Sequence, residues 1–146
     1  MLLAIGQARL AAAELEVPVG AVISRNGEVV SVGRNRRETG KNALAHAEIE
    51  AIDLACQKLG GWRPSACALI VTLEPCPMCA GAIINSRLRR VVYGASDSKA
   101  GSCGSVTNLL ELPYNHKPEL VSGFMAEECS ALLTDFFAEL RKKKKV

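Results

Sequence analysis

His46-Ala47-Glu48 and the later run Pro75-Cys76-Pro77-Met78-Cys79 constrain this chain most, because two tight motifs supply one imidazole, two thiols and one spare carboxylate. A catalytic zinc site takes three protein ligands and leaves a fourth position open, whereas a structural site closes all four with Cys or His. His46, Cys76 and Cys79 make three. A fold for this chain therefore has to bring distant segments together around one Zn2+ and leave Glu48 beside the metal rather than on it.

Local chemistry supports the spacing. Pro75 and Pro77 bracket Cys76, which suits the opening turn of a helix, where proline costs least. Cys76 and Cys79 then face one side, and free N–H groups with the positive end of the helix dipole favour thiolates, so both cysteines are expected to be deprotonated. His46 opens a second helical pattern, Ala45 to Leu59, with Glu48 within reach of a water at the metal. Zinc lowers the pKa of such a water towards about 7, and Glu48 is placed to take the proton and pass it to a ring nitrogen. Attack at an amino-bearing carbon would release ammonia.

The cysteines also fit other chemistries. A lone C-x-x-C also fits a redox pair or half of a zinc knuckle. A redox pair has no need of His46 and Glu48, and a closed knuckle would need a fourth ligand from Cys67, Cys103, Cys129 or His116. Cys56, Cys67, Cys103 and Cys129 are read as buried packing residues.

With 146 residues, 49% of them hydrophobic, the chain can build one sizeable core over 1–146. It contains no apolar run long enough to span a membrane, and Met1-Leu2-Leu3-Ala4-Ile5 lacks the basic start of a signal peptide. A reducing cytoplasm suits thiolate ligands. The net charge of +3 is modest, but positive residues cluster at Arg34, Arg36 and Arg37, at Arg87, Arg89 and Arg90, and from Arg141 to Lys145. Such clusters fit a polyanion partner, and solvated surface explains each of them as well.

Helical and strand-like patterns alternate along the chain. Leu2 to Glu14 reads as a helix, Val17 to Ile23 and Glu28 to Gly33 as a hairpin about the Asn26-Gly27 turn, and Ala66 to Thr72 as a strand leading to a helix over Pro77 to Ser86. Arg90 to Gly94 and Glu119 to Ser122 read as further strands, with a loop from Ala95 to Ser105, a short helical stretch around Asn108 and a closing helix from Ala126 to Lys142. The expected fold class is α/β: a three-layer α/β/α sandwich about a mostly parallel sheet with one antiparallel hairpin. The site belongs where two helix N-termini meet above the strands.

H-x-E with P-C-x-x-C is the known signature of zinc deaminases acting on nucleobases. More of the chain takes part. Glu16 to Val22, Asn35, Ala45 to Glu48, Val71 to Ala82, Ser86-Arg87, Val91 to Ala95, Asp97, Asn115-His116 and Asp135-Phe136-Phe137 together resemble the bacterial tRNA-specific adenosine deaminases of the cytidine deaminase-like superfamily.

The resemblance implies a five-stranded mixed sheet of that type. It also implies hydrolysis of adenosine to inosine at the wobble position of an arginine tRNA, by a cytoplasmic homodimer with one Zn2+ per subunit and the anticodon stem-loop as partner. Glu48 would be catalytic, with His46, Cys76 and Cys79 as metal ligands. Asn35 would hydrogen-bond the flipped base, and Val19 and Leu73 would line its pocket. Ala47 and Pro75 would contribute nearby, the latter through backbone groups that read the ring edge. Asp97, Asn115 and His116 would meet the ribose and neighbouring nucleotides, as RNA recognition usually targets unstacked loop bases. Where the family usually has Asp-Pro-Thr-Ala, this chain has Asn42-Ala43-Leu44-Ala45, so Leu44 is expected to make the pocket wall more apolar. The Leu15-Glu16 junction is one residue short. A deaminase of free guanine, cytosine or nucleosides, or of single-stranded DNA, and a non-catalytic RNA-binding or structural zinc module are the competing functions; the presence of Glu48 argues against the last.

Overall fold

Gly20 and Gly33 let two helices rest directly on opposite faces of the sheet. A Cβ at Gly20 would stand 1.9 Å from the carbonyl oxygen of Ala4, and one at Gly33 would stand 2.3 Å from that of Ala47. Only a residue with no side chain permits such contact. The computed structural model describes residues 1–144. Lys145, the last residue of the basic run, lies outside them.

The element order is α1 (Leu2–Ala13), β1 (Gly20–Arg25), β2 (Glu28–Arg34), α2 (Ala47–Leu59), β3 (Ala68–Leu73), α3 (Pro77–Asn85), β4 (Arg90–Ala95), a 3-10 turn (Leu109–Glu111), β5 (Glu119–Val121) and α4 (Ala126–Lys144). The sheet order is β2-β1-β3-β4-β5, with β1 antiparallel to both neighbours and β3, β4 and β5 parallel. Four strands thus run one way and β1 alone is reversed. The expected mixed, five-stranded α/β architecture is present, with the β1–β2 hairpin at one edge, and because β1 is interior its reversal also makes the ladder with β3 antiparallel. α2 carries the chain from β2 over β1 to β3.

Alanine at positions 4, 8 and 11 gives α1 a flat face that seats against β1. α4 packs on the same side through Cys129, whose sulfur lies where a side chain at Gly94 would be. α2 and α3 cover the other face over Ala51, Ala55, Leu69, Val71, Ile83 and Leu88. Cys67, Cys103 and Cys129 are buried packing residues, Cys56 is half-buried, and all the cysteines are free. Among the described residues no helix is long and apolar enough to cross a membrane.

This topology puts the end of β2, the ends of β3 and β4 and the start of the reversed β1 along one edge. Ligands of open α/β sheets bind outside the carboxyl ends of the strands. That edge is also where α2 and α3 begin.

Candidate active site and metal centre

His46 is the residue before α2 and Cys76 the residue before α3, and both are extended, with ψ of 152° and 175°. The sequence pattern started α2 at Ala45; the helix starts at Ala47 because His46 turns away from helical geometry to aim its ring at the cysteines. Pro77 opens α3 as expected. Cys79, one turn into α3, is fully buried.

His46 Nδ1 lies 3.6 Å from Cys76 Sγ and 3.5 Å from Cys79 Sγ. With Zn–N near 2.0–2.1 Å and Zn–S near 2.3 Å, a tetrahedral angle separates N and S by about 3.6 Å. Both nitrogen–sulfur separations therefore already match a tetrahedral zinc site. Among the described residues they form a group whose ligand atoms lie within 4.8 Å of one another, and Glu48 is not part of it.

Their protonation is uneven. A hydrogen bond from Cys79, followed by one from His46, holds Cys76 down at about 4. The same Cys79–Cys76 hydrogen bond, with burial and the neighbouring Glu48, drives the Cys79 thiol strongly upward. The expectation of two free thiolates is thus corrected: two buried sulfurs in contact cannot both hold a charge unaided, so one keeps its proton and donates it. A divalent cation between them removes that conflict, since a coordinating thiol is deprotonated outright. His46 is raised, first by its hydrogen bond with Cys76.

Glu48 is 4% exposed, in the first turn of α2. Burial pushes its carboxyl up to about 7, against the pull of its own backbone N–H and of His46. A group poised there can both accept and return a proton near neutrality.

A cavity of about 460 Å³ opens over this cluster. Val19, Asn35, Leu73 and Asp97 line it with His46, Glu48 and Cys76. Ala47 and Pro75 are buried beneath it rather than lining it. Asn115 and His116 are not among its lining residues, and His116 Nε2 is engaged with the Leu88 carbonyl at 2.6 Å. Leu44 does not line it either: the Asn42 side chain accepts the Leu44 N–H at 2.9 Å, turning a residue that is 59% exposed outward. The anticipated apolar wall is instead supplied by Leu133 and Phe137 of α4.

Two walls of the cavity hang on buried carboxylates that carried no assigned role in the sequence. Glu16 accepts from Glu38 N–H at 3.1 Å, Thr39 N–H at 2.7 Å and Thr39 Oγ1 at 2.8 Å, tying down the loop that bears Asn35 and Arg37. The short junction before it is achieved by Leu15, which takes a φ of 63° so that Glu16 N–H can return to the Ala11 carbonyl. Glu74 does the same for the loop after β4. Both carboxyls are lowered: burial works against their charge, and the hydrogen bonds from Thr39 and Glu38, or from Ser105, Asp97 and Cys103, outweigh it.

A lowered carboxyl stabilises the fold above its unfolded pKa, near 4.5 for Glu16, and that contribution is lost as pH falls through the folded value. Glu16→Gln leaves loop N–H groups facing a donor and should cost about 2 kcal/mol at neutral pH. It should also flatten the loss of stability below about pH 4.5. Urea unfolding across that range is the measurement, and an unaltered acid limb would count against the role given to Glu16.

A family model described as MafB19-like deaminase matches residues 1–141. The tRNA-specific adenosine deaminase of Bacillus subtilis is 52% identical over 143 residues, spanning 97% of this chain and 89% of that protein. The chain belongs to the tRNA-specific adenosine deaminase family. A solved tRNA:A34 deaminase, which edits adenosine to inosine at the wobble position of transfer RNA, superimposes with a TM-score of 0.88 at 42% identity over 91% of this chain and 97% of that one. The guanine deaminase of Nitrosomonas europaea is more distant, with a TM-score of 0.78 and 26% identity over 93% of this chain and 81% of that one.

Within this deaminase family frame, the residues that sequence reasoning passed over are Glu16, Glu74 and Lys99, while Arg37 figured only in a basic cluster. Glu16 and Glu74 stood inside quoted motifs. Their signal was an acidic residue in an otherwise apolar run, a position where an unpaired charge would be costly.

Proposed function

We propose that this chain hydrolyses the 6-amino group of the wobble adenosine of a transfer RNA, releasing ammonia and leaving inosine. The observation that carries it is a three-donor cluster at zinc spacing with Glu48 buried beside it, at the foot of a cavity large enough for a base. The 52% identity to a tRNA-specific adenosine deaminase supports the substrate.

His46, Cys76 and Cys79 would hold one zinc per subunit, supplying the Lewis acidity that makes water nucleophilic near neutral pH. Glu48 takes the proton from the attacking water and hands it to N1 of the purine ring as the C–O bond forms at C6. It then shuttles the water's second proton to the amino group, and the C–N bond breaks as ammonia leaves. A carboxyl near 7 suits both transfers. Burial beneath the base keeps bulk water from these proton steps.

Asn35, Val19, Leu73 and Asp97 are the proposed contacts to the flipped nucleoside. Asn35 donates to the Val17 carbonyl through its amide nitrogen at 3.2 Å and accepts the Arg37 N–H through its oxygen at 3.3 Å, so its amide plane is already set. Ala47 and Pro75 contribute through the backbone. Asn115 and His116 stand outside the cavity and enter the proposal as contacts to nucleotides beyond the flipped base. An arginine tRNA anticodon stem-loop, a homodimer, a single deaminase domain over 1–146 and a cytoplasmic setting complete the reading.

Deamination of free guanine is the second reading. The guanine deaminase of Nitrosomonas europaea shares the fold at 26% identity, against 42% for the solved tRNA:A34 deaminase, and that reading is not favoured.

The deciding experiment incubates the purified protein with an adenosine-bearing arginine anticodon stem-loop and measures nucleosides by mass spectrometry. Inosine is expected with the intact chain and not with Glu48→Ala. Ammonia from free guanine or cytosine without inosine in the stem-loop would overturn the substrate while keeping the zinc chemistry.

A further inference from the structure

Glu74 is 2% exposed and forms no ion pair among the described residues. Its carboxylate is satisfied by one loop alone: the N–H groups of Asp97, Cys103 and Ser105, each at 3.0 Å, and the Ser105 hydroxyl. The chain doubles back around it. Gly101 packs so closely that a Cβ there would stand 2.4 Å from Glu74 Cδ, and Ser102 N–H donates to the Pro75 carbonyl at 2.8 Å. That loop carries Asp97 and Lys99 into the cavity wall, and Asp97 Oδ1 in turn accepts the Lys99 N–H at 3.0 Å.

We infer that Glu74 is a positioning residue for the deamination, fixing the 96–105 loop in register with the metal-ligand segment that follows Pro75. Glu74 lies at the cavity lining, but both of its carboxylate oxygens are taken up by loop donors, which leaves it a positioning role. Its neighbours in sequence set the metal, and its hydrogen-bond donors set the wall against which the nucleoside rests. One carboxylate thereby couples ligand placement to substrate placement. Loops are otherwise the parts of a fold that open most easily, and a buried charge with only loop N–H donors is a strong restraint, since opening the loop strands it.

The consequence is a split between binding and turnover. With Glu74→Gln, either orientation of the amide leaves at least one loop N–H facing an N–H2 group. KM for the stem-loop should rise about tenfold, the loss of roughly one charge-assisted hydrogen bond. Zinc per chain should stay the same and kcat should change less than KM. Amide hydrogen exchange over residues 97–105 should quicken about tenfold or more while α2 and α3 are unaffected.

The catalytic part rests on the tRNA reading; the exchange part does not. Absence of inosine with the unaltered chain would indict that reading, and unchanged exchange over 97–105 would overturn the role of Glu74 whatever the substrate. An unchanged KM, or joint loss of kcat and zinc at constant KM, would also overturn it. Should Glu74→Gln not fold, Ser105→Ala removes one donor from the other side, and about a threefold rise in KM with faster exchange over 97–105 is expected. No change in either would sink the proposal.

Discussion

Glu48→Gln is expected to reduce kcat by about 10³-fold or more, at the upper end of what one positioned acid–base group contributes. The amide fills the same buried space in the first turn of α2 but cannot take a proton from water or return it. Because Glu48 stands outside the three-donor group, zinc per chain should be unchanged. Stability should hold or rise slightly, since the substitution removes a carboxyl that burial already pushes up to about 7. Inosine release in a single-turnover assay, paired with metal analysis of the same preparation, checks both halves. A variant that lost zinc along with activity would move Glu48 from the proton path to the ligand set.

Withdrawal of the metal should have the second large effect. Chelation is expected to abolish activity, with zinc restoring it, and Cys76→Ala or Cys79→Ala should bring bound zinc close to zero. If zinc is held about a thousandfold above its Kd it contributes about 4 kcal/mol. For a chain of this size the loss lowers Tm by about 10 °C.

The uneven sulfurs add a sharper expectation. Cys76 sits near 4 and is already a thiolate at pH 7, whereas Cys79 is strongly raised and keeps its proton. Zinc uptake at pH 7 should therefore release about one proton from Cys79, with a further fraction from His46, whose ring is raised by Cys76. Indicator titration during zinc addition measures the number. No release would contradict the protonation described for Cys79.

The His46, Cys76 and Cys79 cluster was legible because its chemistry is local. Two short motifs, each at a helix start, fix the ligand types and their facing, and Pro77 marks one of those starts in the sequence itself. The sheet was legible for a similar reason, since the Asn26-Gly27 turn forces a hairpin. The cavity walls were not. Glu16 reaches residues 38 and 39, and Glu74 reaches residues 97 to 105, pairings with no period and no fixed spacing. Leu44 was misplaced because an Asx turn at Asn42 decides its direction, and apolarity alone suggested a wall. Asn115 and His116 rested on resemblance, and nothing local to them fixes which side of the β4–β5 region they face.

The contact of Ala47 with Gly33 separates two kinds of change that mutation can make. The start of α2, with His46 before it and Glu48 after it, rests on bare backbone, so no side chain between helix and sheet can shrink or grow to shift it. The cavity's outer walls are loops tethered at a few points, and α4 closes it with only Leu133 and Phe137. Substitutions can therefore accumulate in the walls and alter which base is admitted, while the reaction centre stays in place. Relatives on this scaffold that act on different purines are what such mutational independence would produce.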